Sequence, residues 1–249
     1  MNKYVLAATL TAGLAVVGAP SFAQVSGTVG ANYSRTDTSG PDTDTYGVNG
    51  GVTIPTSGNL AVLVDGSYAH NDDADIDAFN GTAHLITRNE SNAFGGYVGF
   101  AHADVGGGGD ADAWSAGGEY AKFFKSSTLA LTLGYAKQEH GGTDASALIG
   151  EYRIFASDNL RFDINAGYAH FGDFDTHDDG TEIGAGVEYR FGAAPISLGA
   201  AYTHYDSDFG NANVLGVSLR YDFGNGSLKA RDRTGNTFGA LGGVAAFLQ

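Results

Sequence analysis

Along most of the chain, apolar side chains alternate with small or polar ones. Leu60, Val62, Val64, Gly66 and Tyr68 fall on one face, with Asp65 and Ser67 on the other. Leu129, Leu131, Leu133 and Tyr135 oppose Thr132 and Gly134. Ile183, Ala185, Val187, Tyr189 and Phe191 oppose Glu182, Gly184, Gly186, Glu188 and Arg190. A period of two is the signature of a strand with two unlike faces. The pattern predicts twelve strands, at residues 25–36, 45–55, 60–70, 78–88, 92–102, 113–124, 129–138, 147–156, 160–170, 182–191, 196–205 and 214–223.

A short aromatic–small–basic unit recurs along the chain. It reads Tyr33-Ser34-Arg35, Tyr68-Ala69-His70, Phe100-Ala101-His102, Tyr135-Ala136-Lys137, Tyr168-Ala169-His170 and Tyr202-Thr203-His204. Its period of about 34 residues fits two strands, one tight turn and one longer loop. The tight turns are expected at 56–59, 89–91, 125–127, 157–159 and 192–195. Longer, Asp/Gly-rich loops are expected at 37–44, 72–77, 104–112, 139–144, 173–179 and 206–212. Long loops at one end and tight turns at the other suit a barrel that crosses a membrane.

Composition separates a membrane barrel from a soluble sandwich. Only 16% of residues are charged, while 43% are hydrophobic and 39 are Gly. A soluble sandwich turns its apolar face inward and covers its outside with charge, which this chain lacks; a membrane barrel points that face at lipid. Aromatics fall into two bands on the apolar face. Tyr33, Tyr46, Tyr68, Phe79, Phe100, Trp114, Tyr135, Tyr168 and Tyr202 lie near the long-loop end. Phe94, Tyr120, Phe124, Tyr152, Phe162, Tyr189, Phe191, Tyr221 and Phe223 lie near the turn end. Paired bands are what two membrane–water interfaces favour. At the N-terminus, Lys3, the apolar run Tyr4–Val17 and the small residues Ser21 and Ala23 form a secretory signal with cleavage before Gln24. The expected plan is an all-β, closed antiparallel transmembrane barrel. It has a signal peptide at 1–23, the barrel at 24–223 and a C-terminal tail at 224–249.

The net charge of −15 excludes nucleic acid as a partner. The six longer loops hold 18 of the 28 acidic residues and no Lys or Arg. Such a mouth concentrates cations, although solvated Asp also serves simply to order turns. Strand charges fall on the polar face and are expected to line the lumen. The acids are Asp65, Glu119, Glu151, Asp163, Glu182, Glu188 and Asp222. The bases are Arg88, Arg153, Arg161, Arg190 and Arg220, and His84 is the one histidine assigned to that face. Counting back from the 157–159 turn sets Arg153 opposite Asp163 as a cross-strand pair. Twelve strands lie between eight-stranded barrels, whose interior is filled, and open sixteen-stranded porins. An open pore and a lumen filled by ion pairs both fit.

The last strand carries a resemblance. Gly216-Val217-Ser218-Leu219-Arg220-Tyr221-Asp222-Phe223 resembles the sorting signal that ends Gram-negative outer-membrane proteins, with Gly216, Leu219, Tyr221 and Phe223 as its key positions. With the signal peptide, the chain is similar to small porin-like outer-membrane β-barrels over nearly all of its mature length. The resemblance implies an outer-membrane location, insertion by the outer-membrane assembly machinery, and passive diffusion of small hydrophilic solutes. The charge pattern adds a weak cation preference. In such proteins the Phe usually ends the chain, whereas 26 residues follow it here. That tail carries Lys229, Arg231 and Arg233; it can return to the lumen as a plug, pair as an extra strand, or extend into the periplasm.

Other chemistry finds little support. Asp175-Thr176-His177-Asp178-Asp179-Gly180 opens like a calcium loop, but its twelfth position is Gly186 rather than Glu. Asp75-x-Asp77 and Asp175-x-His177 have the spacing of an omptin-type protease, in Asp-rich loops where such matches arise by chance. No enzyme activity, cofactor or dedicated metal site is expected. Acidic loops allow weak divalent binding, and the rim bases can meet lipopolysaccharide phosphates. A closed structural or adhesive barrel with divalent-binding loops is the alternative.

Overall fold

Valine, leucine, isoleucine and aromatic residues at every second position favour extended backbone and pack well on a pleated surface. The computed structural model describes residues 25–238, apart from 57, 107–108, 140–143, 173–176, 193, 209 and 225. It contains twelve strands: β1 (Ser26–Thr38), β2 (Thr43–Pro55), β3 (Leu60–Asn71), β4 (Ile76–Arg88), β5 (Asn92–Val105), β6 (Gly109–Phe123), β7 (Ser127–Gln138), β8 (Asp144–Ser157), β9 (Leu160–Gly172), β10 (His177–Arg190), β11 (Ile196–Ser207) and β12 (Gly210–Phe223). Every strand pairs antiparallel with its sequence neighbours, and β1 pairs with β12 from Gly27↔Phe223 to Thr38↔Ala212. Closure leaves no unpaired edge, which is the condition for backbone polar groups to survive in hydrocarbon. The expected signal peptide and the last part of the tail lie outside the described residues.

The two faces sort as alternation requires. Val98, Leu133 and Ile183 point outward, each 62% exposed. Arg153 and Asp222 point inward at 1%. Charged and polar groups thus line much of the middle, and the outside is the apolar surface that a membrane barrel turns to lipid. Both aromatic bands sit on the outer surface. Tyr46, Phe79, Phe100, Trp114, Tyr168 and Tyr202 are exposed near one end; Phe94, Phe124, Phe162, Tyr189, Phe191 and Tyr221 are exposed near the other. Neighbouring rings meet across strands, as Tyr33 and Tyr46 do at 5.3 Å and Phe94 and Tyr120 do at 5.0 Å.

The expectation of long loops at one end is corrected. Connections at the acidic end are as short as those at the other, because strand pairing runs on into segments read as loops. β1 and β2 stay in register from Ser26↔Thr53 to Thr36↔Thr43. β5 and β6 pair out to Val105↔Gly109. Asp and Gly are poor strand formers by themselves, but an established hairpin ladder extends through them. Most rim acids therefore stand on strand ends.

After β12 the chain reverses direction. Gly224 has φ +77°, and a Cβ there would lie 2.3 Å from the Val25 carbonyl oxygen, so the turn requires glycine. The Ser227 side chain accepts from the Ala230 amide and caps a short helix, α1 (Leu228–Thr234). This segment enters the barrel at the end holding both strand termini, termed the tail end below.

Candidate functional site: the barrel lumen

Twelve strands enclose more room than their inward side chains fill. Three groups of residues occupy it. On β3, β4 and β6, His84 lies between two carboxylates, with Nε2 2.8 Å from Asp65 and Nδ1 2.9 Å from Glu119. The Tyr97 ring stands 5.8 Å away.

The second and largest group spans β8 to β12. Arg161 Nε donates to Asp163 at 2.5 Å. Glu188 Oε2 receives Arg161 at 3.5 Å, Arg220 at 3.4 Å and Arg231 at 2.5 Å. Ser197 donates to the other Glu188 oxygen at 2.6 Å. Asp222 faces Arg190 at 3.8 Å and Arg231 at 3.0 Å. Arg153 lies opposite Asp163 in register, as expected, but the cross-strand ion pair does not form. Its guanidinium instead donates to Glu151 at 2.5 Å and to Asp232 at 2.6 Å. A long side chain reaches along its own strand and across the lumen to carboxylates that register alone does not reveal.

The third group is apolar, unlike the charged lumen face that the sequence pattern predicts. Leu63, Ile86, Ala93, Ala121, Phe123 and Ala130 point inward near the tail end and surround Phe238, which is 1% exposed. The tail bridges this patch to the charged wall. Arg88 on β4 donates to the Arg233 and Gly235 carbonyls at 3.2 and 3.4 Å. Thr128 on β7 donates to Asp232 at 2.6 Å. Arg233 donates to the Phe124 carbonyl and lies 5.4 Å from the Phe123 ring centre. Arg231, Asp232, Thr237 and Phe238 are thus lumen residues alongside those assigned from the strands.

Cavities are bordered by lumen side chains. One, of about 350 Å³, is bordered by Asn32, Asp163, Asn165, Glu182, Tyr205 and Arg220 among others. Another, of about 180 Å³, is bordered by Arg153, Arg161, Arg220, Arg231 and Asn236 among others. Glu182 accepts from Asn165 at 3.0 Å. Gly167 gives Glu182 room, since a Cβ there would lie 2.7 Å from its Cγ. The larger cavity thus mixes amide, hydroxyl, carboxylate and guanidinium groups with Ile149, Val187, Ala200, Ala201 and Val217, and the smaller one is mainly polar.

The outer rim is ordered by the six-fold repeat. Each repeat base faces an acid or amide directly across its hairpin: Arg35↔Asp44, His70↔Asp77, His102↔Asp112, Lys137↔Asp144, His170↔Asp179 and His204↔Asn213. Where the aromatic is Tyr, its hydroxyl donates to the same group, as Tyr68 does to Asp77 at 2.5 Å and Tyr168 does to Asp179 at 2.8 Å. Of the protease-like pairs, Asp77 is held by Tyr68 and His70, while Asp175 lies outside the described residues.

No family model and no curated protein matches the chain. Solved structures do resemble it. The translocator domain of autotransporter NalP from Neisseria meningitidis aligns with a TM-score of 0.55 at 12% identity, over 80% of this chain and 88% of that one. The KdgM porin in complex with disordered oligogalacturonate gives 0.54 at 8%, over 79% and 99%. The β domain of the Bordetella autotransporter Brka gives 0.52 at 13%, over 80% and 100%. At such identities the likeness is one of fold, and that fold is the closed β-barrel of outer-membrane proteins.

Proposed function

We propose that the chain is a channel of the Gram-negative outer membrane, passing small hydrophilic solutes with a weak preference for cations. The observation that carries this reading is a cavity of about 350 Å³, bordered by Asn32, Asp163, Asn165, Glu182 and Arg220, inside a barrel whose outside is apolar. A barrel with a purely structural role has no need of such a cavity. The acidic rim favours cations entering from that side. Among the described residues, no lumen set argues for an enzyme. On the same reading, the segment from Gly216 to Phe223 on β12 addresses the chain to the assembly machinery. The rim bases would meet lipopolysaccharide phosphates, with divalent cations at the acidic strand ends.

A second reading is a closed structural or adhesive barrel. It is favoured by one observation, the tail seated across the tail-end mouth. Planar-bilayer recording separates the two. The full chain and a chain ending at Gly224 are inserted under a KCl gradient. Discrete steps with a reversal potential on the cation side support the channel. Folded protein that gives no steps in either form refutes it and leaves the closed barrel.

A further inference from the structure

We propose that residues 227–238 form a releasable stopper, a segment that closes the tail-end mouth of the lumen and can leave it with Glu188, Asp222 and Arg153 still paired within the wall. This rests on the channel reading above.

The seat reaches across the whole lumen. Arg231 binds β10 and β12 through Glu188 and Asp222. Asp232 binds β7 and β8 through Thr128 and Arg153. Arg153 also donates to the Thr237 carbonyl at 2.7 Å. Phe238 fills the inward apolar patch supplied by β3 to β7. A segment tied to opposite walls lies in the path of any solute.

The charged wall of β8 to β12 does not depend on it, while Arg88 on β4 and the inward apolar patch exchange it for lumen water. Without Arg231, Glu188 keeps Arg161, Arg220 and Ser197. Asp222 keeps Arg190 at 3.8 Å. Without Asp232, Arg153 keeps Glu151 at 2.5 Å. Losing one member of a buried ion pair is costly chiefly because the other is left uncompensated, and here each is compensated within the wall. On release, Arg231 and Asp232 return to water and recover their hydration. The seat is mostly ionic and hydrogen-bonded, with Leu228 and Phe238 as its buried apolar anchors. A seven-residue helix is too short to persist unaided, so the segment can leave as loose chain. Gly224, at φ +77°, supplies a hinge where the chain turns after β12.

The chain has no cysteine, so a disulfide lock can be introduced cleanly. The Lys229 amide donates to the Asp158 carbonyl at 3.1 Å, and the two side chains meet at 3.7 Å on the tail-end turn. The test records single channels from full-length Asp158→Cys/Lys229→Cys protein, oxidised and then reduced in the same bilayer. A second full-length variant, Arg231→Ala/Asp232→Ala/Phe238→Ala, removes the seat. Expected are an open occupancy at least tenfold lower when oxidised than when reduced, and a near-permanently open seatless variant. Equal occupancy in both redox states, or a seatless variant that opens no more often than wild type, overturns the stopper. A reduced lock variant that stays shut while the seatless variant conducts shows a fixed plug and also overturns it. If the seatless variant folds but never conducts, the channel reading itself fails.

Discussion

Membrane voltage should act on the tail with a predictable sign. Residues 228–234 carry Lys229, Arg231 and Arg233 against Asp232, a net charge of +2. Moving one charge through the full potential changes its energy by about 2.3 kcal/mol per 100 mV. The segment sits in the tail-end part of the lumen, so leaving it crosses only a share of the field. Taking half, two charges gain about 2.3 kcal/mol at 100 mV when the tail-end side is negative. At 1.4 kcal/mol per factor of ten, the open-to-closed ratio rises about 40-fold, and it falls by the same factor at the opposite polarity. The assay is open probability against voltage for single channels inserted in one known direction. Lys229→Gln/Arg233→Gln brings the segment to zero net charge and leaves the Arg231–Glu188 and Asp232–Arg153 pairs in place. Losing the Arg233 contacts raises opening at both polarities alike, so only the asymmetry reports charge movement. A wild-type response symmetric in voltage, or an asymmetry unchanged in the double variant, refutes the reasoning.

Two further outcomes test the barrel and its lumen. Leu133→Arg places a charge on the outward face of β7, where Leu133 is 62% exposed; facing hydrocarbon, it costs about 2–4 kcal/mol, read by denaturant titration in phospholipid vesicles. A negligible change would mean that this face meets water. Arg153→Met leaves Glu151 and Asp232 without their shared guanidinium and should destabilise the fold by about 3–5 kcal/mol in the same titration. A neutral result would show that lumen water screens these carboxylates.

The strands were legible because lipid imposes a strict rule on the outer face. A lipid-facing position tolerates few side chains, so period-two alternation survives from Leu60 to Phe223. The repeat was legible for a related reason: each hairpin needs an interfacial aromatic and a base at the same depth. The acids opposite those bases are visible as residues, but their local sequence reads as loop. Asp44, Asp77, Asp112, Asp144 and Asp179 are poor strand formers in isolation, and only the ladder around them holds them extended. A hairpin that must keep its backbone paired beyond the bilayer overrides that local preference.

The lumen was legible as a list of charged residues but not as a network. Register set Arg153 against Asp163, yet a guanidinium on a long stem chooses among all carboxylates within reach, and Asp232 lies far off in sequence. The apolar patch did leave a trace. In Leu60-Ala61-Val62-Leu63-Val64 and Leu85-Ile86, alternation fails where the inward position should be polar. An apolar side chain facing a water-filled lumen is unfavourable by about 25 cal/mol per Å² of exposed surface, so such a break implies a cover. The tail's small and apolar end, with Phe238 at its start, could have been matched to it. Its basic part likewise matches Glu188 and Asp222 on the opposite wall. Complementary defects in two distant segments, an apolar break in the strands and a hydrophobic residue just past a basic run, are the signal that one occupies the other. That β12 still ends at Phe223 and closes on β1 fits a tail appended to a complete barrel, which is also why its departure need not unravel the wall.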